Sequence, residues 1–224
     1  MTGAMDIATP ERFKAEFGVS RETIEKLATY EAMLKRWQKT INLVAPSTLP
    51  QIWHRHFADS AQLWHLRPPE ARTWLDLGSG AGFPGLVIAI LASEGGGTRH
   101  TLIESDSRKA AFIREVARAT GVVVDILCMR IEIPETRAKV GKINCVTARA
   151  LAPLPRLIEL ADPYFGPATV GMFSKGREVA MEIEQARQDW DFEAVLVPSV
   201  TEPQGSVLLL KSLKRKASKV ETEG

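Results

Sequence analysis

The sequence predicts an α/β fold: a mostly parallel, seven-stranded sheet flanked by helices, closed by an antiparallel C-terminal strand and preceded by a small helical extension. Three observations carry this. Apolar residues recur at steps of three and four up to residue 66, and after Pro68 and Pro69 short apolar runs alternate with helical stretches, as βα units do. The first of those runs ends in the glycine turn Gly78-Ser-Gly80-Ala-Gly82-Phe-Pro-Gly85. The last two runs face each other across Thr201-Glu-Pro-Gln-Gly205, a hairpin pattern.

Ser20 is placed to cap a helix in which Leu27, Tyr30, Leu34, Trp37 and Ile41 form one apolar stripe, a packing face. Pro46 and Pro50 break the chain, a second helical segment covers 51–66, and Pro68 and Pro69 end it. Strands follow at 73–77, 101–104, 124–129, 143–148 and 169–174, with helices around 84–92, 107–119, 153–164 and 176–189. The runs 192–200 and 206–213 make the hairpin, which implies an antiparallel edge on an otherwise parallel sheet. The expected organisation is a helical extension over 1–68, a ligand-binding domain over 69–213 and a basic tail over 214–224.

The 224-residue chain has room for one large domain with a helical annex, and 45% hydrophobic with 25% charged residues is an ordinary globular composition. A formal charge of +2 announces no nucleic-acid partner in bulk. Local clusters exist at Lys35, Arg36 and Lys39, at His54, Arg55 and His56, and at Lys211, Lys214, Arg215, Lys216 and Lys219. Cys128 and Cys145 each sit in an apolar run and are expected as reduced, buried thiols. Residues 1–20 hold no apolar core of signal-peptide length, and no run reaches the roughly 20 residues that span a bilayer. A cytoplasmic protein follows, with no need of more than a monomer.

A strand, a glycine turn and a helix bring backbone N–H groups and a helix N-terminus close to a ligand. Gly80-Ala-Gly82-Phe-Pro-Gly85 satisfies the dinucleotide pattern G-x-G-x-x-G, so NAD and S-adenosylmethionine (SAM) compete. Asp76, two residues before the first glycine, would repel a pyrophosphate and suit the ammonium and sulfonium of SAM. Glu104, at the end of the next strand, can accept hydrogen bonds from ribose hydroxyls and supports either ligand. The C-terminal hairpin belongs to the class I SAM-dependent methyltransferase variant of the Rossmann-like fold. SAM is the expected cofactor.

The run after the fourth strand reads Cys145-Val-Thr-Ala-Arg-Ala-Leu-Ala-Pro-Leu-Pro155. It lacks the Asn/Asp-Pro-Pro-aromatic turn that holds an exocyclic base amine, and neither cysteine has the setting of a pyrimidine C5 nucleophile. There remain an acceptor with its own lone pair, such as a purine ring nitrogen, and an acceptor the sequence does not advertise. Guanine N7 carries no proton, so alignment alone would serve and no general base is required. His54, His56 and Asp59 lack a fourth metal ligand, and no metal is expected. They form either a helix entry, through Asp59 and Ser60, or, with Arg55, a basic lip for RNA phosphates.

Seven segments together resemble the bacterial 16S rRNA methyltransferase G family, also called glucose-inhibited division protein B. They are YEAMLKRWQKTINLVA, HFADS, LDLGSGAGFPGLVIAI, LIESDSRKAAFIREV, RIE, VTARAL and FSKG, in the family's order over about residues 20–212. The resemblance implies SAM-dependent methylation of N7 of guanine 527 in 16S rRNA, with the rRNA or the small ribosomal subunit as partner. It also implies cofactor contacts at Gly78, Phe83, Ile131, Glu132 and Arg149. Asp76, Gly80 and Glu104 complete the expected cofactor set, and Arg149 is the expected positioning residue for cofactor or guanine. Arg55, His56, Lys175, Lys211, Lys214 and Arg215 are the candidates for RNA contact. The family usually has Ala where this chain has Ile131, and Asn144 and Ala148 replace a common Asp and Ser.

Overall fold

The computed structural model describes residues 6–217. Two helices open the chain, α1 (Pro10–Phe17) and α2 (Arg21–Trp37). Ser20 caps α2 as expected, its hydroxyl accepting from the Thr23 N–H at 3.1 Å. Leu27, Tyr30 and Leu34 are fully buried along the stripe. The helix stops at Trp37 rather than reaching Ile41, because the Gln38 side-chain oxygen accepts from the N–H groups of Leu43 and Val44 and folds the chain back. The segment 51–66 is not one uniform helix: a wide π-helical turn, Trp53–Ala58, runs into α3 (Asp59–His65).

The α/β part follows in order: β1 (Thr73–Leu77), α4 (Gly85–Ala92), β2 (Arg99–Ile103), α5 (Ser107–Thr120), β3 (Asp125–Leu127), α6 (Pro134–Lys139), β4 (Cys145–Arg149), α7 (Leu154–Ala161), β5 (Val170–Lys175), α8 (Val179–Ala186), β6 (Trp190–Pro198) and β7 (Ser206–Arg215). Every expected strand forms, each within a few residues of its expected span, and α6 is an addition. Pro134 opens α6, and the Thr136 hydroxyl donates to the Arg130 carbonyl at 2.6 Å.

The sheet order is β3-β2-β1-β4-β5-β7-β6, parallel except for β7. This corrects one expectation. The antiparallel strand is not an edge, since β7 is inserted between β5 and β6, and β6 takes the edge. The reason is in the side chains. Val207, Leu208 and Leu210 are fully buried, whereas β6 leaves Val195 and Leu196 exposed. β7 also extends to Arg215, so Lys214 and Arg215 are strand residues, not tail; residues 218–224, Lys219 among them, lie outside the described residues.

The N-terminal helices share one core with α4 and α5, in which Phe13, Tyr30, Phe57 and Phe112 are fully buried. The opposite face of the sheet is covered by α7 and α8. Asn144 ties the starts of β1 and β4 together, its side-chain oxygen accepting from the Arg72 and Thr73 N–H groups and the Thr73 hydroxyl at 2.9–3.0 Å. The strand order reverses between β1 and β4, and the crevice at their C-terminal ends is where open α/β sheets bind ligands. Among the described residues no helix is long and apolar enough to cross a membrane.

Candidate active site

The glycine turn leaves β1 with three residues at positive φ: Gly78 (64°), Gly80 (58°) and Gly82 (94°). At Gly82 the need for glycine is also spatial, because a Cβ would lie 2.6 Å from the Tyr30 hydroxyl, which donates to the Ala81 carbonyl. The N–H of Ser79 donates to the Ile103 carbonyl at 3.0 Å, and that of Gly80 to the Glu104 carboxylate at 2.7 Å. The other Glu104 oxygen accepts from the Asp106 N–H at 2.8 Å. The ends of β1 and β2 are thereby locked together beside a cleft of about 410 Å³.

Gly78, Gly80, Phe83, Glu104, Ile131, Glu132 and Arg149 all line this cleft, although they come from four separate segments. The Ile131 carbonyl accepts from the Tyr164 hydroxyl at 2.9 Å. Glu132 pairs with Arg130 at 3.1 Å; its own backbone N–H and then Arg130 hold its carboxyl below the usual range.

Asp76, expected as a counterpart to the charges of SAM, is not among the residues that line the cleft. Its carboxylate is turned beneath the turn, accepting from the Gly85 N–H at 3.2 Å and the Thr147 hydroxyl at 2.8 Å, with 2% of the residue exposed. It fastens the start of α4 to β1 and β4. Burial pushes its carboxyl up to about 6, against the hydrogen bonds it receives.

Phe83 stacks with Tyr30 (5.3 Å, 9° between planes) and with His56 (4.9 Å, 27°), and the Arg149 guanidinium lies 5.0 Å from its ring centre. Arg149 also donates to His56 Nδ1 at 2.7 Å, to the Arg55 carbonyl at 3.1 Å and to Asp59 at 3.3 Å. The planar guanidinium thus joins the end of β4 to the π-helical turn. His56 completes its pairing with the Thr48 hydroxyl at 2.8 Å.

A second cleft, of about 850 Å³, lies on the far side of the loop that follows Arg149. Arg149, Ala150 and Leu151 line both clefts. Ala150 holds φ 52°, a left-handed conformation that costs a non-glycine residue roughly 1–2 kcal/mol.

The expected phosphate contacts fare unevenly. His56 is 7% exposed; burial, then Arg149 and Arg55, push its imidazole down to about 3, and its two ring nitrogens meet Arg149 and Thr48. The Lys175 side chain is buried in an ion pair with Glu182 at 2.6 Å. Arg55 is exposed enough to touch a ligand but pairs with Glu202 at 2.6 Å. Lys211, Lys214 and Arg215 are exposed, yet β7 runs away from the clefts: Ser206 pairs with Lys175 at their end of the sheet and Leu210 with Gly171 at the other. His54 is spent between the Ile7 N–H and the Thr201 carbonyl. Cys145 is buried as expected, whereas Cys128, just past the edge strand β3, is exposed.

Sequence reasoning misses several members of the site, Ala150 and Leu151 among them. Tyr30 reads only as a packing residue, and Leu43 and Lys109, which line the first cleft, carry no signal at all. Asp59 stands out in the sequence, but not as the partner of Arg149.

His56 and Asp76 make opposite demands on pH. His56 has a depressed folded pKa, so its stabilising contribution is complete above its unfolded value near 6.5 and is lost as pH falls towards 3. Asp76 has a raised folded pKa, so its contribution is present below about 3.8 and lost as pH rises through about 6. At full extent these are on the order of 5 and 3 kcal/mol. Chemical-denaturation midpoints between pH 4 and 8 should therefore change slope oppositely in His56→Gln and Asp76→Asn. Parallel profiles in both variants and the parent would refute the assignment.

The family described as rRNA small subunit methyltransferase G matches residues 23–217. Proteins named ribosomal RNA small subunit methyltransferase G are 50% identical to this chain in Parvibaculum lavamentivorans, over 95% of this chain and 93% of that protein, and in Rhodospirillum centenum, over 90% and 89%. Among solved structures, a ribosomal protein L11 methylase from Lactobacillus delbrueckii subsp. bulgaricus superposes with a TM-score of 0.53 at 18% identity, covering 70% of this chain and 77% of that one. A point mutant of MtNAS in complex with S-adenosylmethionine does so with a TM-score of 0.52 at 17% identity, covering 93% and 86%. At such identities the structures speak for the fold alone, that of class I SAM-dependent methyltransferases.

Proposed function

The chain belongs to the rRNA small subunit methyltransferase G family, and on that basis we propose that it methylates N7 of guanine 527 in 16S rRNA with SAM as methyl donor. The junction of the two clefts carries this reading: one cleft takes the donor, the other the acceptor nucleotide, and Arg149, Ala150 and Leu151 stand between them.

The residues of the first cleft fit SAM. Gly78 and Gly80 allow close backbone approach, Glu104 would meet the ribose hydroxyls with its carboxylate, and Ile131 and Glu132 would border the adenine. The methyl it supplies when bound is already electrophilic, and guanine N7 has a lone pair with no proton to lose. The chain's task is then alignment and exclusion of water, which accounts for several kcal/mol of barrier lowering in well-oriented reactions. The titratable groups around Arg149 agree with this division of labour. His56 is too weak a base at about 3 to take a proton, and Asp59 is committed to Arg149.

Phosphate contacts on this reading fall to cations at the mouths of the clefts, the exposed Arg177 and half-buried Arg55 at the acceptor side and the half-buried Lys109 at the donor side. Lys211, Lys214 and Arg215 would be reached only by RNA that extends along the sheet to its other end. Each lost phosphate contact should reduce the slope of log binding constant against log salt by roughly one. Arg177→Ala is expected to flatten it, and an unchanged slope would remove that residue from the interface.

The decisive experiment supplies labelled SAM with 16S rRNA or small subunits and maps the modified nucleotide. Label on N7 of guanine 527 is expected; label on another atom or base overturns the specific reading. SAM, but not NAD, should raise the melting temperature of the protein alone, since only a ligand of the native state stabilises it.

A further inference from the structure

We propose that the buried Lys175–Glu182 ion pair is a positioning device for methyl transfer, holding the loop 150–154 as the wall between the donor and acceptor clefts. The proposal rests on the methyltransferase reading above.

The contacts of the pair converge on one loop. Lys175 ends β5 and Glu182 lies on α8, and their side chains are 8% and 19% exposed. The Lys175 ammonium donates to the Glu182 carboxylate at 2.6 Å and to the Ala152 carbonyl at 3.1 Å. The same Glu182 oxygen accepts from the Leu154 N–H at 2.7 Å. A cation from the sheet and an anion from a helix therefore grip two backbone groups two residues apart, one in the loop at Ala152 and one where it enters α7 at Leu154.

That loop needs a restraint. It begins at Ala150, whose left-handed φ of 52° persists only where the surroundings impose it. The next residue, Leu151, rests on the glycine turn so closely that a Cβ on Gly78 would lie 2.6 Å from its Cδ1. Arg149, immediately before, faces both clefts. If the loop relaxes, Leu151 lifts from Gly78 and the wall that sets the approach of acceptor to methyl is lost.

An apolar pair of similar volume would fill the space and often costs a fold little. It could grip neither the Ala152 carbonyl nor the Leu154 N–H. The ion pair does what packing alone cannot.

The test uses the full chain in three forms: the parent, Glu182→Gln, and the double variant Lys175→Met with Glu182→Leu. Glu182→Gln keeps an oxygen for both donors. Melting temperature, SAM affinity, amide exchange across 149–154 and methyl-transfer kinetics on 16S rRNA are measured for each. In the double variant we expect SAM affinity within about threefold of the parent, faster exchange in the loop, and kcat down by about 10- to 100-fold with KM for RNA little changed. Glu182→Gln should retain most of kcat. Parental exchange and parental kcat in the double variant would overturn the proposal. So would a raised KM for RNA at unchanged kcat, which makes Lys175 a substrate contact, or a loss in Glu182→Gln equal to that of the double variant. Should the parent itself transfer no methyl to rRNA, the methyltransferase reading fails, while exchange across the loop still decides whether the pair restrains it.

Discussion

Arg149→Ala should lower single-turnover methyl transfer to 16S rRNA by about 10²-fold or more, the scale seen when one preorganised donor is removed from a reaction centre. The guanidinium is held over Phe83, where it lines both clefts, by His56, Asp59 and the Arg55 carbonyl. Truncation also leaves Asp59, whose side chain is only 14% exposed, without its cation. Stability will therefore fall as well, by up to about 3–5 kcal/mol for a fully buried pair and less here. Asp59→Ala separates the two effects. It breaks the same ion pair but leaves the guanidinium at the clefts, so it should retain most of the transfer rate at a similar melting temperature. Equal losses of activity in both variants would reduce Arg149 to a tie between the helical extension and the sheet. Arg149→Lys should behave nearer to alanine than to the parent, because an ammonium cannot meet three acceptors in a planar fork.

Gly85→Ala is expected to destabilise the fold by about 3 kcal/mol, the upper part of the range for overpacking a rigid site. A Cβ at this first residue of α4 would lie 2.6 Å from the Cβ of Asp76 and 2.8 Å from its carboxylate oxygen. Asp76 cannot retreat, since it is buried in β1 and bonded to Thr147. Shifting α4 instead breaks the Gly85 N–H bond to a carboxylate with little else to satisfy it. For a chain of this size the melting temperature should drop by roughly 6–12 °C. Gly78→Ala is the contrast, because the atom it meets is the free end of Leu151. Its loss should come mainly from the positive φ, about 1–2 kcal/mol, together with weaker SAM binding as Leu151 moves. A Gly85→Ala protein as stable as the parent would mean that α4 is not seated on Asp76.

The turn residues are legible because the local chain leaves little choice. Three glycines in alternation after an apolar run need positive φ, and they take it at Gly78, Gly80 and Gly82. The function of Asp76 is not legible. Its charge and its place beside the turn point to a cationic ligand, but side chains alternate along a strand, and the face Asp76 occupies belongs to α4 rather than to the cleft. The pairings of Lys175 and His56 are hidden in the same way. A cation or an imidazole near a turn reads as a ligand contact until its partner is known, and the partners, Glu182 and Arg149, come from other elements of the fold. The inner position of β7 follows from its unbroken apolar run, which an edge strand would leave in contact with water.

The α/β class, the strands, the glycine turn and, through the run of motifs, the family can all be read from the amino-acid chain, because they depend on local periodicity, backbone conformation and residues close in sequence. Folding in three dimensions is what stacks Phe83 with Tyr30 and His56, sets Arg149 against Asp59, and closes Lys175 and Glu182 on the loop beside it. Most of those contacts join groups separated by tens of residues, and burial settles which charges are paired, which are neutral and which still face water.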